Sequence, residues 1–173
     1  TRCGDRARYS KPVPPHNLSR AFRPVLPAGR GGAKSGGMAK LHFLYSTMNA
    51  GKSTNLLQAS HNYRERGMTT LLLTARLDDR AGPGRIASRI GIAEPAETYG
   101  TGDDLRALIE ARLAAGPVDC VLVDEAQFLT KTQVWQLADV ADDLGVPVMC
   151  FGLRVDFRGE LFPGSAALLA LAD

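Results

Sequence analysis

The strongest chemical signal in the chain is the run Ser46-Thr47-Met48-Asn49-Ala50-Gly51-Lys52-Ser53-Thr54. Gly-Lys-Ser between an apolar run and a helical stretch fits a phosphate-binding loop. In such a loop the backbone N–H groups and the N-terminus of the following helix surround phosphate oxygens. Lys52 then reaches the terminal phosphates, and the Ser53 hydroxyl can join the coordination shell of Mg²⁺. The strict pattern begins with Gly, where this chain has Ser46. A serine serves there if its backbone needs no positive φ. A second stretch, Gly29-Arg30-Gly31-Gly32-Ala33-Lys34-Ser35, imitates the loop, but its Lys follows Ala and no strand precedes it, so it is rejected as a nucleotide site.

An acidic partner lies 72 residues beyond Lys52, where the apolar run Cys120–Val123 ends in Asp124 and Glu125. Asp124 is placed to hold Mg²⁺ directly or through a water. Glu125, one residue on, points elsewhere, toward an attacking oxygen, and is the candidate general base. A merely solvated acidic strand end is the weaker reading, because two carboxylates beside a triphosphate repel one another without a metal.

The elements that must position these groups alternate between apolar runs and helical stretches. Strands are expected at Lys40–Tyr45, Thr69–Thr74, Val118–Val123 and Val146–Phe151. Helices are expected from Lys52 to Arg66, from a cap at Asp103 to Gly116-Pro117, from Thr130, and over 163–172. Leu105, Leu108, Ile109 and Leu113 keep helical spacing, as do Val134, Leu137, Val140, Ala141 and Leu144. A polar, Gly- and Arg-rich loop is expected between the second strand and Gly102. Strands apolar throughout are covered on both faces. The expected fold is therefore α/β, a three-layer P-loop (RecA-like) domain with a mainly parallel sheet. Ligands of such sheets sit at the carboxyl ends of the strands, here just after Tyr45, Thr74, Val123 and Phe151.

Composition bounds the rest. With 173 residues, 45% hydrophobic and 23% charged, the chain suits one globular domain rather than wholesale disorder. No run approaches the length of a membrane span. Three cysteines, Cys3, Cys120 and Cys150, form no CxxC pair, so neither a disulfide framework nor a zinc site is visible. Cys120 and Cys150 sit in apolar runs and are read as buried, reduced thiols in a cytoplasmic protein. The net charge of +3 hides a split, since residues 1–37 carry eight Lys/Arg against Asp5 alone. The remainder has 13 basic against 17 acidic residues, which argues against nucleic acid as a partner. Residues 1–37 also hold five of the ten prolines and six of the 18 glycines, without periodicity, and are expected to be a disordered basic extension. The organised domain is expected over 38–173.

Two further stretches join the phosphate loop and Asp78-Asp79-Arg80: Asp124-Glu125-Ala126-Gln127-Phe128 and Gly152-Leu153-Arg154-Val155-Asp156-Phe157-Arg158-Gly159-Glu160-Leu161-Phe162. Together these four motifs, in this order over 40–173, resemble the thymidine kinases of bacteria and animal cytosol. The resemblance implies transfer of the γ-phosphate of ATP to the 5′-hydroxyl of thymidine or deoxyuridine. It implies Glu125 as the base and Arg80 near the transferred phosphate. It implies 46–54 with Asp124, Glu125, Ala126 and Gln127 as the ATP site, and Ser53 with Asp124 as Mg²⁺ ligands. Met48, Phe128, Leu153 and Phe157 match residues that enclose the thymine ring, for which aromatic and thioether surfaces suit a flat base. From the residues alone, Leu153 reads as core, and the two phenylalanines read equally as core or site.

The resemblance also implies a homotetramer and a later zinc-bearing domain with a lasso loop over the nucleoside. The zinc ligands of that domain have no counterpart in 1–173, so the chain is expected to be truncated within its last helix. It is then expected to bind ATP·Mg²⁺ and to phosphorylate thymidine poorly. Two rival readings stay open. Asp124-Glu125-Ala126-Gln127 also resembles the acidic box of helicases, which require a second such domain. The other is a nucleotide-binding module without turnover.

Overall fold

The computed structural model describes residues 38–48, 50–78, 82 and 84–173. The expectations for 1–37, Asn49, Asp79 and Arg80 lie outside the described residues. Five parallel strands form the main sheet: β1 (Leu41–Ser46), β2 (Thr70–Ala75), β5 (Glu97–Tyr99), β6 (Cys120–Val123) and β7 (Val148–Leu153), in the order β1-β7-β6-β2-β5. Strand β7 thus stands between the strand that leads into the phosphate loop and the strand that ends in the carboxylates.

Period-2 alternation sends successive side chains of each strand to opposite faces. Leu71, Leu73, Val121, Val123, Val148 and Cys150 meet α2 (Leu105–Ala115), α3 (Lys131–Leu144) and α4 (Pro163–Leu171) in one buried cluster. Leu72, Cys120, Leu122, Met149 and Phe151 meet α1 (Lys52–Glu65) in a second. Both faces are covered, which is why these strands carry apolar residues throughout and why three layers result. Cys120 and Cys150 are buried free thiols, and burial pushes the Cys120 thiol up to about 12.

Several boundaries differ from the sequence expectation, each for a physical reason. Pro147 has no N–H to give, so β7 starts at Val148 and runs on to Leu153, opposite Ser46 of β1. The helix cap is Asp104 rather than the expected Asp103; its Oδ1 accepts the N–H of Ala107 at 3.0 Å. Asp103 instead accepts the Gly100 N–H at 2.8 Å and an Arg76 guanidinium N–H at 2.9 Å. The expected loop after β2 contains an antiparallel pair, β3 (Arg85–Ala87) and β4 (Ala93–Pro95), and the edge strand β5. Each is three residues long, too short to show a period. Glu94 of β4 ties this excursion to α1 through Arg64 and Ser60.

Helix α3 starts as expected at Thr130, in a capping box with Gln133. The Gln133 amide also donates to the carbonyls of Gly100 and Asp103, locking β5 to α3. Helix α4 has Pro163 in its first turn and ends at Leu171. Ala172 donates its N–H to the Leu168 carbonyl, and the Asp173 N–H reaches the Leu41 carbonyl of β1 at 2.8 Å.

Candidate active site

Strand β1 delivers Ser46 to the start of the loop without a positive φ; among the described residues Glu125 is the one non-glycine residue with that geometry. A serine therefore stands where the strict pattern has Gly at no conformational cost. The Ala50 N–H donates to the Thr47 carbonyl at 3.3 Å, which turns the chain toward α1. Gly51, at φ 78° and ψ 25°, takes the left-handed conformation that lets the loop enter the helix. Among the described residues no side chain caps α1, and no acidic residue lies in its first turn. Its N-terminal N–H groups and the positive end of its dipole are thus left for an anion. The Lys52 ammonium folds back on the Thr47 carbonyl at 3.4 Å, and Thr47, Met48, Ala50 and Gly51 are exposed.

The end of β6 is built in the opposite manner. Asp124 is 2% exposed, and its Oδ2 accepts the Ser53 hydroxyl at 2.9 Å. One hydrogen bond thereby joins the Gly-Lys-Ser helix to the acidic strand, 71 residues apart in sequence. Asp124 Oδ1 accepts the N–H of Glu125 at 3.0 Å. Burial, then the neighbouring Glu125 carboxylate, pushes the Asp124 carboxyl up to about 6, against the opposing pull of Ser53 and the Glu125 N–H. Glu125 is buried and held at φ 51°. The Tyr99 hydroxyl, kept protonated by burial, donates to the carbonyls of Asp124 and Glu125, both at 3.2 Å. The Gln127 amide donates to Glu125 Oε2 and accepts the Leu153 N–H at 3.0 Å.

The four residues expected around a flat base are less closely gathered. Phe128 is partly exposed and meets Phe162 edge to face, with ring centroids 6.3 Å apart. It also lines a cleft of about 400 Å³ with Arg76, Leu77, Tyr99 and the segment 100–103. Met48, Leu153 and Phe157 do not line that cleft. Leu153 is half-buried at the end of β7 beside Ser46. Met48 is 71% exposed; Phe157, at 92%, stands in a turn closed by the Val155–Leu161 bridge and by Asp156.

A family model described as thymidine kinase matches residues 39–173. The chain belongs to the thymidine kinase family. It is 76% identical over 136 residues to the thymidine kinase of Jannaschia sp. (strain CCS1), covering 79% of this chain and 70% of that one. Against the thymidine kinase of Ruegeria pomeroyi the identity is 71%, covering 79% and 69%. Against that of Agrobacterium fabrum it is 62%, covering 79% and 70%.

In this thymidine kinase family member, sequence reasoning missed Tyr99, Phe162, Gly152 and Gly164 as parts of the site's frame. A Cβ on Gly152 would lie 2.9 Å from Gln127 Oε1 and 3.0 Å from its backbone N. One on Gly164 would lie 2.5 Å from the Leu129 carbonyl oxygen. The turn 125–129 is therefore clamped between β7 and α4 by two glycines. Only a motif that spans both segments signals this, since neither glycine has a positive φ. Ala126 and Gln127, expected at the nucleotide, are both buried, and the Gln127 amide is bonded at both ends to protein.

Among the described residues no group of three or more His, Cys, Asp or Glu side chains is placed to hold a metal ion. The Ser53 hydroxyl and Asp124 carboxylate are hard oxygens, and Mg²⁺ binds through few protein ligands when phosphates and water supply the rest. The donor set fits Mg²⁺. No helix among the described residues is long and apolar enough to cross a membrane.

Proposed function

We propose that this protein transfers the γ-phosphate of ATP to the 5′-hydroxyl of thymidine or deoxyuridine, giving ADP and the nucleoside monophosphate. The observation that carries the reading is the Ser53–Asp124 hydrogen bond, which brings a Gly-Lys-Ser helix against a buried carboxylate with Glu125 fixed beside it. The names of the relatives support the choice of acceptor.

The loop amides and Lys52 hold the β- and γ-phosphates; Ser53 and Asp124 would hold Mg²⁺, which would supply positive charge to the phosphate oxygens. Glu125 accepts the proton of the 5′-hydroxyl as its oxygen bonds to the γ-phosphorus and the bond to the ADP oxygen breaks. Met48, Phe128, Leu153 and Phe157 contact the pyrimidine, and Arg80 adds positive charge near the transferred group.

A coupled ADP assay tests the reading. ADP formation should depend on thymidine and be indifferent to single- or double-stranded nucleic acid. Phosphate release stimulated by nucleic acid instead would overturn it in favour of a motor ATPase. ATP binding without thymidine-dependent ADP would reduce the protein to a binding module.

A further inference from the structure

We propose that Gln127 is the positioning residue of the base Glu125 and ties the carboxylate to the end of β7. The inference rests on the reading of Glu125 as the base. The turn after β6 leaves Glu125 in a left-handed conformation that a non-glycine residue adopts only when its surroundings hold it there. Tyr99 holds the backbone of that turn through two carbonyls. Something must also fix the side chain, and Gln127 does so in a determinate sense. The Leu153 N–H can only donate, so it selects the Gln127 carbonyl oxygen and turns the NH₂ group toward Glu125 Oε2.

The surroundings are shaped to this amide. Gly152 leaves the space that Gln127 Oε1 occupies, since a Cβ would approach it to 2.9 Å. The carbonyl of the next residue, Leu153, accepts the Ser165 hydroxyl at 2.6 Å, which anchors that end of the relay to α4. A chain of hydrogen bonds thus runs from Ser165 through Leu153 and Gln127 to Glu125. It holds the base in register with the strand end that carries Leu153. Gln127 is 3% exposed with both ends of its amide engaged, a placement suited to orienting a neighbour rather than to touching nucleotide.

The test is Gln127→Met, which keeps the length of the side chain and removes its hydrogen bonds, made in the full chain. Loss of base orientation is expected to lower kcat about 10–100-fold, the scale of a misplacement near 1 Å. KM for thymidine and Kd for ADP, by calorimetry, should stay within about twofold of wild type. In a Glu125→Gln background the same substitution should cost nothing further, because there is no base left to orient. An equal loss in that background would make the role merely structural, and a tenfold weaker ADP complex would make Gln127 a nucleotide contact; either overturns the proposal. Should Gln127→Met fail to fold, Gly152→Ala displaces the amide without removing it and is read by the same criteria. A wild-type chain that forms no thymidine-dependent ADP defeats the kinase reading but not the contact. That is read from the Gln127 side-chain amide resonances in a ¹H–¹⁵N spectrum, which should shift in Glu125→Gln. Unshifted resonances would overturn the contact itself.

Discussion

The loop after β1 and the turn after β6 are joined through the Ser53–Asp124 hydrogen bond, yet they are built on opposite principles. Between Thr47 and Gly51 the described residues are exposed, α1 is uncapped, and Lys52 rests on a loop carbonyl at 3.4 Å. From Asp124 to Leu129 all but Phe128 are buried, and the polar side chains are bonded to protein. The difference suits the roles we propose for the two ends. An anion that arrives with its own charge needs open N–H groups and a cation able to move onto it. A base that must meet one proton in one direction gains from being fixed beforehand. The contrast predicts that substitutions at the loop disturb binding, whereas those at the turn disturb turnover.

Glu125→Gln is the sharpest way to break that contrast, and it carries the largest expected effect. The amide is isosteric but cannot take the proton, so kcat should fall by about 10²–10⁴ with ATP affinity retained. Steady-state kinetics beside calorimetric ATP titration check this. A collapse of ATP binding at near-normal turnover would make Glu125 a metal ligand and erase the division of labour with Asp124. Next comes Lys52→Ala, expected to cost about 10²–10³ in kcat and, unlike the first, to weaken ATP as well. If Lys52→Ala kept wild-type ATP affinity, the loop would not be the anion site.

The loop end was far easier to read from sequence than the turn. Gly51, Lys52 and Ser53 are adjacent, and the strand and helix around them carry long periodic patterns, so motif and context reinforce one another. Asp124 and Glu125 were legible as well, because an apolar run ending in two carboxylates is conspicuous. Their frame was not. Tyr99 sits on a three-residue strand without a period, 26 positions from the Glu125 carbonyl it holds. Gln127 was expected at the nucleotide from the resemblance, and its bond to the Leu153 N–H is to a backbone group that side-chain patterns do not reveal. The cap was expected at Asp103, and only the path of the chain from β5 places it at Asp104. Local chemistry was readable, and the tertiary partners of single buried polar groups were not.

Burial of Asp124 yields a pH-dependent prediction of intermediate size. Its carboxyl is raised from an ordinary 3.8 to about 6. Between those values the folded protein binds more protons than the unfolded chain, so this group's contribution is fully present below about 4 and is lost as pH rises through about 6. Two units correspond to ~3 kcal/mol. Urea unfolding of the nucleotide-free protein from pH 4 to 7 should show this as a difference from Asp124→Asn, whose stability lacks that decline. Parallel profiles would mean that the carboxylate is better solvated, or better paired, than its 2% exposure implies.

The smallest expected effect is at Ser46, where the loop departs from the strict glycine pattern. If that pattern reflected a conformational need in this protein, Ser46→Gly would improve the loop. Ser46 ends β1 without a positive φ, paired in register with Leu153, so glycine brings no backbone freedom that the native conformation uses. What glycine does add is disorder in the unfolded chain, worth roughly 0.5–1 kcal/mol at a strand position. The serine hydroxyl, 3.4 Å from the Thr47 carbonyl, makes too long a bond to matter much to the loop. The variant should therefore unfold at slightly lower urea while its kcat and its KM for ATP stay within about twofold of wild type. A tenfold gain in ATP affinity would show that the loop changes its backbone at residue 46 when it closes on phosphate. The open end of the site would then have a conformational requirement of its own, as the buried end has at Glu125.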